Sequence, residues 1–363
     1  MRSNAGIGQA EQAQDTGPRA RLRAGHAMAW GVDSLCRLGA RGAIRELTLF
    51  DEAFKAHRGR PYGELSNREA LRLAWRLVTR LAGRAVQKAL YLDEWHLMFD
   101  LSGQADVPFD QFNKIIPPKD RFWADPHSLH VNGRYYIFVE EYLYRAKKAH
   151  IAVIEMDEQG RCKAPVRVLE ADYHLSYPFV FEWQGQYYMV PESAENESVS
   201  LYECVSFPYE WRFKMHLMQG VHAVDTTLLR HEGRWWLFTG MNEDRAALPL
   251  VKLYLFSSSE LFTMDWQPHP MNPIVSDEMI ARPAGRLYTR DGALFRPTQV
   301  FSTMYGSGFD LNEVVTLTET EYREKPAASV RPDWDPRIEA THTYTRDGQL
   351  TVIDVFTRRR RLF

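Results

Sequence analysis

Four acidic residues of this 363-residue chain stand at matched distances from glycines. Asp125 and Asp225 each lie eight residues before a glycine, Gly133 and Gly233, while Glu140 and Glu192 each lie seven after one, Gly133 and Gly185. Carboxyl groups that converge on one spot suit sugar chemistry, in which one takes a proton from a hydroxyl or water and another protonates a leaving oxygen. A lone aspartate at a strand end caps turn amides just as readily; recurrence at one register favours the chemical reading. Arg282 and Arg296 add forked cations that fit phosphate or carboxylate, or pair with the acids themselves. His342 is a channel ligand, an acid or a satisfied structural histidine. Gln299 and Tyr177 fall on the same two registers, and Trp123 and Tyr177 are candidates to stack a sugar, with core packing as the plain alternative.

The elements that must bring these residues together are written in a repeat. One phrase occurs five times: WADPHSLHVNGRYYIFVEE, LSYPFVFEWQGQYYMVPES, AVDTTLLRHEGRWWLFTGM, RPAGRLYTRDGALFRPTQ and EATHTYTRDGQLTVIDV. Each reads as a strand, a two-residue turn ending in Gly, and a returning strand. Gly133, Gly185, Gly233, Gly292 and Gly348 follow one another at 52, 48, 59 and 56 residues. That period matches one four-stranded blade per unit, so the fold expected is all-β, a five-bladed β-propeller over 117–357 with an N-terminal α-helical extension. The first strand of each blade lines the channel, which turns the two registers into a ring around one mouth.

Residues 1–25 are polar and expected to be disordered, 26–116 to form the helical extension, and 358–363 (RRRRLF) a basic tail. Ser66 and Glu69 form a capping box, after which Leu71, Trp75, Val78, Leu81 and Ala85 share one helical face. Arg72, Arg76, Arg80, Arg84 and Lys88 run beside it, either as a solvated ridge or as peripheral membrane contact through the basic helix 66–90. Residues 1–115 carry 17 Lys/Arg against 13 Asp/Glu, and the remainder 28 against 34. With the whole chain at −2, a nucleic-acid partner is not expected. Cys36, Cys162 and Cys204 are isolated, which argues against a disulfide framework or a zinc site. With no apolar leader and no long apolar run, the location expected is cytoplasmic, at the inner membrane face if the basic helix docks there.

The residues of the first and third blades, WADPH and VDTTL, resemble the furanosidase-type five-bladed propellers of glycoside hydrolase families 43 and 32. That resemblance implies a base or nucleophile role for Asp125 and a transition-state or pKa-tuning role for Asp225. FWADPHSL, HLSYPFVFE, YYMVPES, VDTTLL, ARPAGRLY, LFRPTQ, MYGSGFDLNEV and ATHTY, in order over roughly 95–357, more closely resemble the N-terminal domain of the glucosamine inositolphosphorylceramide transferase family and its bacterial relatives. This implies a role in assembling surface polysaccharide or glycolipid. The hydrolases carry an acid glutamate in blade four, where this chain has ARPAGRL and Arg282.

The leading expectation is glycosyl transfer from a phosphate-activated sugar donor to a glycan or glycolipid acceptor. Asp125 would serve as base, Asp225 would stabilise anomeric charge, and Arg282 with Arg296 would hold phosphate. Glu192, Glu140, Tyr177, Gln299 and Trp123 would acidify or position the sugar. A furanosidase using Glu192 as its acid and a non-catalytic glycan-binding module are the alternatives. No cofactor is required by the sequence, and a channel cation near His342 is left open.

Overall fold

The computed structural model describes residues 67–104, 107–242, 250–301 and 306–360. A helix, α1 (Asn67–Leu90), leads directly into β1 (Tyr91–Asp100) and then β2 (Asn113–Ile115). Blade one follows as β3 (Arg121–Val131), β4 (Arg134–Leu143), β5 (Lys148–Asp157) and β6 (Val166–Leu169). Blade two is β7 (Ser176–Trp183), β8 (Gln186–Glu192), β9 (Ser198–Ser206) and β10 (Glu210–Gln219). Blade three is β11 (Ala223–His231), β12 (Arg234–Met241), β13 (Lys252–Ser258) and β14 (Gln267–Pro268). Blade four is β15 (Tyr288–Arg290), β16 (Ala293–Val300), β17 (Gly308–Leu317) and β18 (Tyr322–Val330). Blade five takes β19 (Ile338–Ala340), β20 (Tyr344–Asp347) and β21 (Leu350–Arg360) from the end of the described chain and β1 and β2 from its beginning. The result is the five-bladed propeller expected from the repeat.

The hairpin turns explain why the repeat is built on x-Gly. In four of them both turn residues have positive φ, as at Asn132 and Gly133 (50° and 72°) or Asp291 and Gly292 (51° and 78°). That is the geometry whose twist matches paired strands. Among the described residues, apolar side chains from adjoining blades meet in one large cluster at each of the five seams, with a small sixth of Ala194, Val224 and Val251 between blades two and three. Trp123, Ile137, Leu97 and Val352 pack in the seam between blades five and one, and Phe238, Leu253, Trp236 and Tyr322 in that between blades three and four. Burial on both faces accounts for runs such as HIAVIEM in β5, which do not alternate.

The helical extension expected over 26–116 ends at Leu90. Tyr91–Asp100 pairs antiparallel with β21 along its whole length, from Tyr91↔Arg360 to Asp100↔Thr351. Because its partner lies some 250 residues away and no hairpin joins the two, the repeat does not reveal this strand. Arg358, Arg359 and Arg360, expected in a basic tail, belong to β21. Residues 1–66, including Ser66 of the capping box and the segment expected to be disordered, lie outside the described residues, as do Cys36 and 361–363.

The closure predicts an asymmetric response to truncation. A chain beginning at Tyr91 should melt within about 2 °C of the full chain, since every described α1 side chain is exposed. A chain beginning at Asn113 leaves the long edge of β21 unpaired and should aggregate. Thermal melts and size-exclusion profiles of the two truncations check this.

Candidate active site at the channel mouth

The two matched registers converge as the repeat requires, and a backbone device sets the side chains. Asp125, Tyr177 and Asp225 all have left-handed φ (51°, 42° and 50°). Each sits in a bulge, where pairing slips between Ala124 and His127, Ser176 and Phe179, and Val224 and Thr227. A bulge re-aims its residue and frees a backbone N–H from the ladder. Those freed amides are capped by acids of the preceding blade. Asp125 N–H donates to Asp354 Oδ2 of blade five (3.0 Å), Tyr177 N–H to Asp125 Oδ2 (3.2 Å), and Asp225 N–H to Glu192 Oε2 (3.3 Å). The acids therefore staple the ring at the mouth as well as facing it.

Asp125 is held ionised. Burial opposes its charge, but the hydrogen bond and charge of His342, the Arg282 guanidinium and the Thr343 hydroxyl outweigh burial and bring its pKa to about 2. His342 Nε2 lies 3.0 Å from Asp125 Oδ1 and its Nδ1 lies 3.0 Å from Asp354 Oδ2. Burial would favour neutral imidazole, yet the charge of Asp354 and the bond to Asp125 raise its pKa to about 10. Asp354, fully buried, also accepts the backbone N–H groups of His342 (3.0 Å) and Thr343 (2.9 Å). The ring of Trp95 meets His342 edge-on at 4.3 Å.

Glu192 has the opposite bias. Burial, the neighbouring Asp225 charge and a carboxyl–carboxyl contact raise its pKa well above the usual range, against the lowering effect of Arg282. Arg282 bonds Asp225 through Nε and through Nη2 (3.3 Å to Oδ1), and reaches Glu192 Oε2 at 3.3 Å. Gln299 Nε2 donates to Asp225 Oδ2 (3.0 Å). Asp225, its side chain 2% exposed, thus stands behind Arg282, whereas Glu192 keeps 15% of its side chain exposed and Asp125, at 9%, is nearly buried. Glu140 is raised by burial, partly offset by His174, whose Nε2 lies 3.2 Å away.

Three sequence expectations are corrected by where the side chains go. Arg296 does not face the mouth: Nε and Nη2 grip Glu324 of β18 at 2.8 and 2.7 Å, so no pair of arginines is free to hold phosphate. It lies an odd three residues before Gln299, which puts it on the other face of β16. Trp123 is no sugar platform; it is buried in the seam, its indole N–H donating to Glu141 (2.9 Å). Tyr177 is fully buried, its hydroxyl bonded to Thr227 Oγ1 (2.9 Å) and to Gly285 N–H (2.8 Å), tying blades two, three and four.

Asp354, Thr343, Trp95 and His174 escape the repeat reading. Asp354 lies six residues after its turn glycine, one short of the register used, and its signal is a lone acid inside the apolar run TVIDVF. Asp125, His342 and Asp354 place their ligand atoms within 4.8 Å of one another. Both imidazole nitrogens of His342 face carboxylate oxygens at 3.0 Å, so an imidazolium would place its positive charge between the two acids. Asp354 and Asp125 should stabilise the fold through that imidazolium. The stabilisation is fully present below the free-histidine pKa of about 6.5 and fades as pH rises toward about 10. Urea midpoints should therefore fall from pH 7 to 10, and His342→Gln should flatten that slope.

The sequence family described as "Glucosamine inositolphosphorylceramide transferase 1, N-terminal" matches residues 114–343. Glucosamine inositolphosphorylceramide transferase 1 of Arabidopsis thaliana is 34% identical over 208 residues, 56% of this chain and 27% of the relative. The protein of the same name from Oryza sativa subsp. indica is 34% identical over 210 residues, 56% of this chain and 28% of the relative. The chain thus spans little more than a quarter of the length of these curated relatives. Among solved structures, the catalytic domain of a Coprinopsis cinerea GH62 α-L-arabinofuranosidase is 13% identical with a TM-score of 0.49, covering 74% of this chain and 98% of that one. A family 117 glycoside hydrolase of Zobellia galactanivorans is 12% identical with a TM-score of 0.45, covering 73% and 90%.

Proposed function

The chain belongs to the glucosamine inositolphosphorylceramide transferase 1 N-terminal family, and from that premise we propose that its channel mouth transfers a glycosyl group to a hydroxyl of a glycolipid headgroup. The observation that carries this reading is the opposed bias of two carboxyl groups at one mouth: His342 helps bring the pKa of Asp125 down to about 2, while burial and the Asp225 charge raise that of Glu192 well above the usual range. Environments that push two carboxyl pKa values apart assign a base and an acid. Asp125 accepts the acceptor's hydroxyl proton as the new C–O bond forms. Glu192 gives its proton to the oxygen that leaves the anomeric carbon, which balances the transfer. Asp225 and Arg282 act through Glu192, one raising its pKa and the other holding it in place. His342 and Thr343 fix Asp125. A phosphate-activated donor loses the support of Arg296, so the leaving oxygen is protonated here more than neutralised.

The same pair would serve water, and the raised Glu192 carboxyl favours that second reading, a glycoside hydrolase, over a binding module. The test incubates the full chain with nucleotide-linked and lipid-phosphate-linked hexosamines, with and without inositolphosphorylceramide, and with oligosaccharides alone, read by mass spectrometry. A glycosylated lipid that requires the acceptor and disappears in Asp125→Asn and Glu192→Gln is the expected result. Free sugar released without acceptor would make the protein a hydrolase. Glycan binding that survives both substitutions without turnover would leave a binding module.

A further inference from the structure

The helix α1 (Asn67–Leu90) has no function at the mouth, and its surface is unusual for a folded protein. Leu71 and Trp75 are 71% and 69% exposed, and Val78 and Leu81 are also exposed. At about 100° per residue these four span an arc of about 120° on one side of the helix. Arg68, Arg72, Arg76 and Arg80, all exposed, recur every four residues and sweep the adjoining arc of similar width. Toward the C-terminal end, exposed Val86 and Leu90 extend the apolar surface onto that ridge. Over its 24 residues the helix carries six basic residues and one acidic residue. No described helix is long and apolar enough to cross a membrane.

From this juxtaposition of an exposed apolar arc with Trp75 and a flanking row of arginines, we infer that α1 lies on an anionic lipid surface and docks the propeller there. A bilayer surface supplies both things the helix lacks. Acyl chains just beneath the headgroups take the apolar arc, and anionic headgroups take the guanidinium row. A second copy of the helix would satisfy the apolar arc but bring two like-charged rows together, so charge complementarity favours the lipid. The inference is independent of the chemistry at the mouth, although it would hold the site at the surface where a lipid acceptor resides. The helix runs without a break into β1, which is paired along blade five, so docking would fix the propeller as well as the helix.

The experiment uses the full chain in co-sedimentation with phosphatidylcholine vesicles, with and without phosphatidylserine, at low and high salt. The expected result is binding that needs phosphatidylserine and weakens with salt. With an attraction worth about a factor of five per arginine near such a surface, replacing Arg72, Arg76 and Arg80 with Gln should weaken binding about 100-fold. Leu71→Gln with Trp75→Gln should weaken it at least about 10-fold, with an unchanged melting temperature because these side chains are exposed. Equal binding to neutral vesicles, or binding indifferent to both sets of substitutions, would overturn the inference. So would light scattering that shows a dimer which the Leu71 and Trp75 substitutions dissociate without affecting vesicle binding.

Discussion

Glu192→Gln is expected to lower glycosyl turnover by about 10²–10⁴-fold while leaving the fold as stable as before or slightly more so. Burial first, and then the charge of Asp225, raise the pKa of Glu192 well above the usual range, so a glutamine matches the shape and charge of its favoured neutral form and removes the transferable proton. The Asp225 N–H that bonds Glu192 Oε2 keeps an acceptor in the glutamine carbonyl. Steady-state rates and urea midpoints of the pair of proteins separate the two effects. Equal loss of rate and of stability would mean that Glu192 is a staple and nothing more. The pH profile carries the same claim. Because the pKa of Glu192 is raised, the falling limb of turnover should lie above the ordinary glutamate range; the residual rate of Glu192→Gln should lack that limb.

Arg282→Met should cost stability on a scale few surface changes reach, about 3–5 kcal/mol. The guanidinium is the only cation bonded to Asp225 among the described residues, and it also reaches Glu192. Without it, the buried Asp225 carboxylate faces Glu192 with Gln299 as its remaining side-chain donor. Adding Asp225→Asn to Arg282→Met should recover much of the stability, because the uncompensated charge has been removed. Chemical denaturation of the single and double variants decides the matter. Equal stability of Arg282→Met and the parent would remove Arg282 from its place as the tie between the two acids.

The fold and the mouth are legible in the sequence wherever they depend on the hairpin repeat. Turn glycines at near-constant spacing place Asp125, Tyr177 and Asp225 at one register because each strand repeats the same bulge, and the left-handed φ of all three confirms that equivalence. What the repeat cannot carry is the direction of a side chain once a bulge has shifted strand parity. Trp123 precedes such a bulge and turns into the seam, while Asp125 within it turns to the mouth. Arg296 fails for the simpler reason of strand parity, being on the opposite face from Gln299, with Glu324 waiting two strands away. Closure of the ring is equally hidden. The partner of β21 is Tyr91–Asp100, a segment with neither the turn glycine nor the phrase by which the blades were found. The sequence puts His342 near the mouth, but the buried Asp354 that raises its pKa lies one residue off the register.

The most direct measurement is the protonation state of the Glu192 carboxyl in the folded protein. Infrared difference spectra between the parent and Glu192→Gln, recorded across pH with Asp125→Asn as a second reference, report it. A protonated-carboxyl band that survives above the ordinary glutamate range and is absent from Glu192→Gln, with no corresponding band assigned to Asp125, is the predicted result. A Glu192 carboxyl that ionises near an ordinary value of about 4.3 would contradict the account, since the mouth would then hold two bases and no acid.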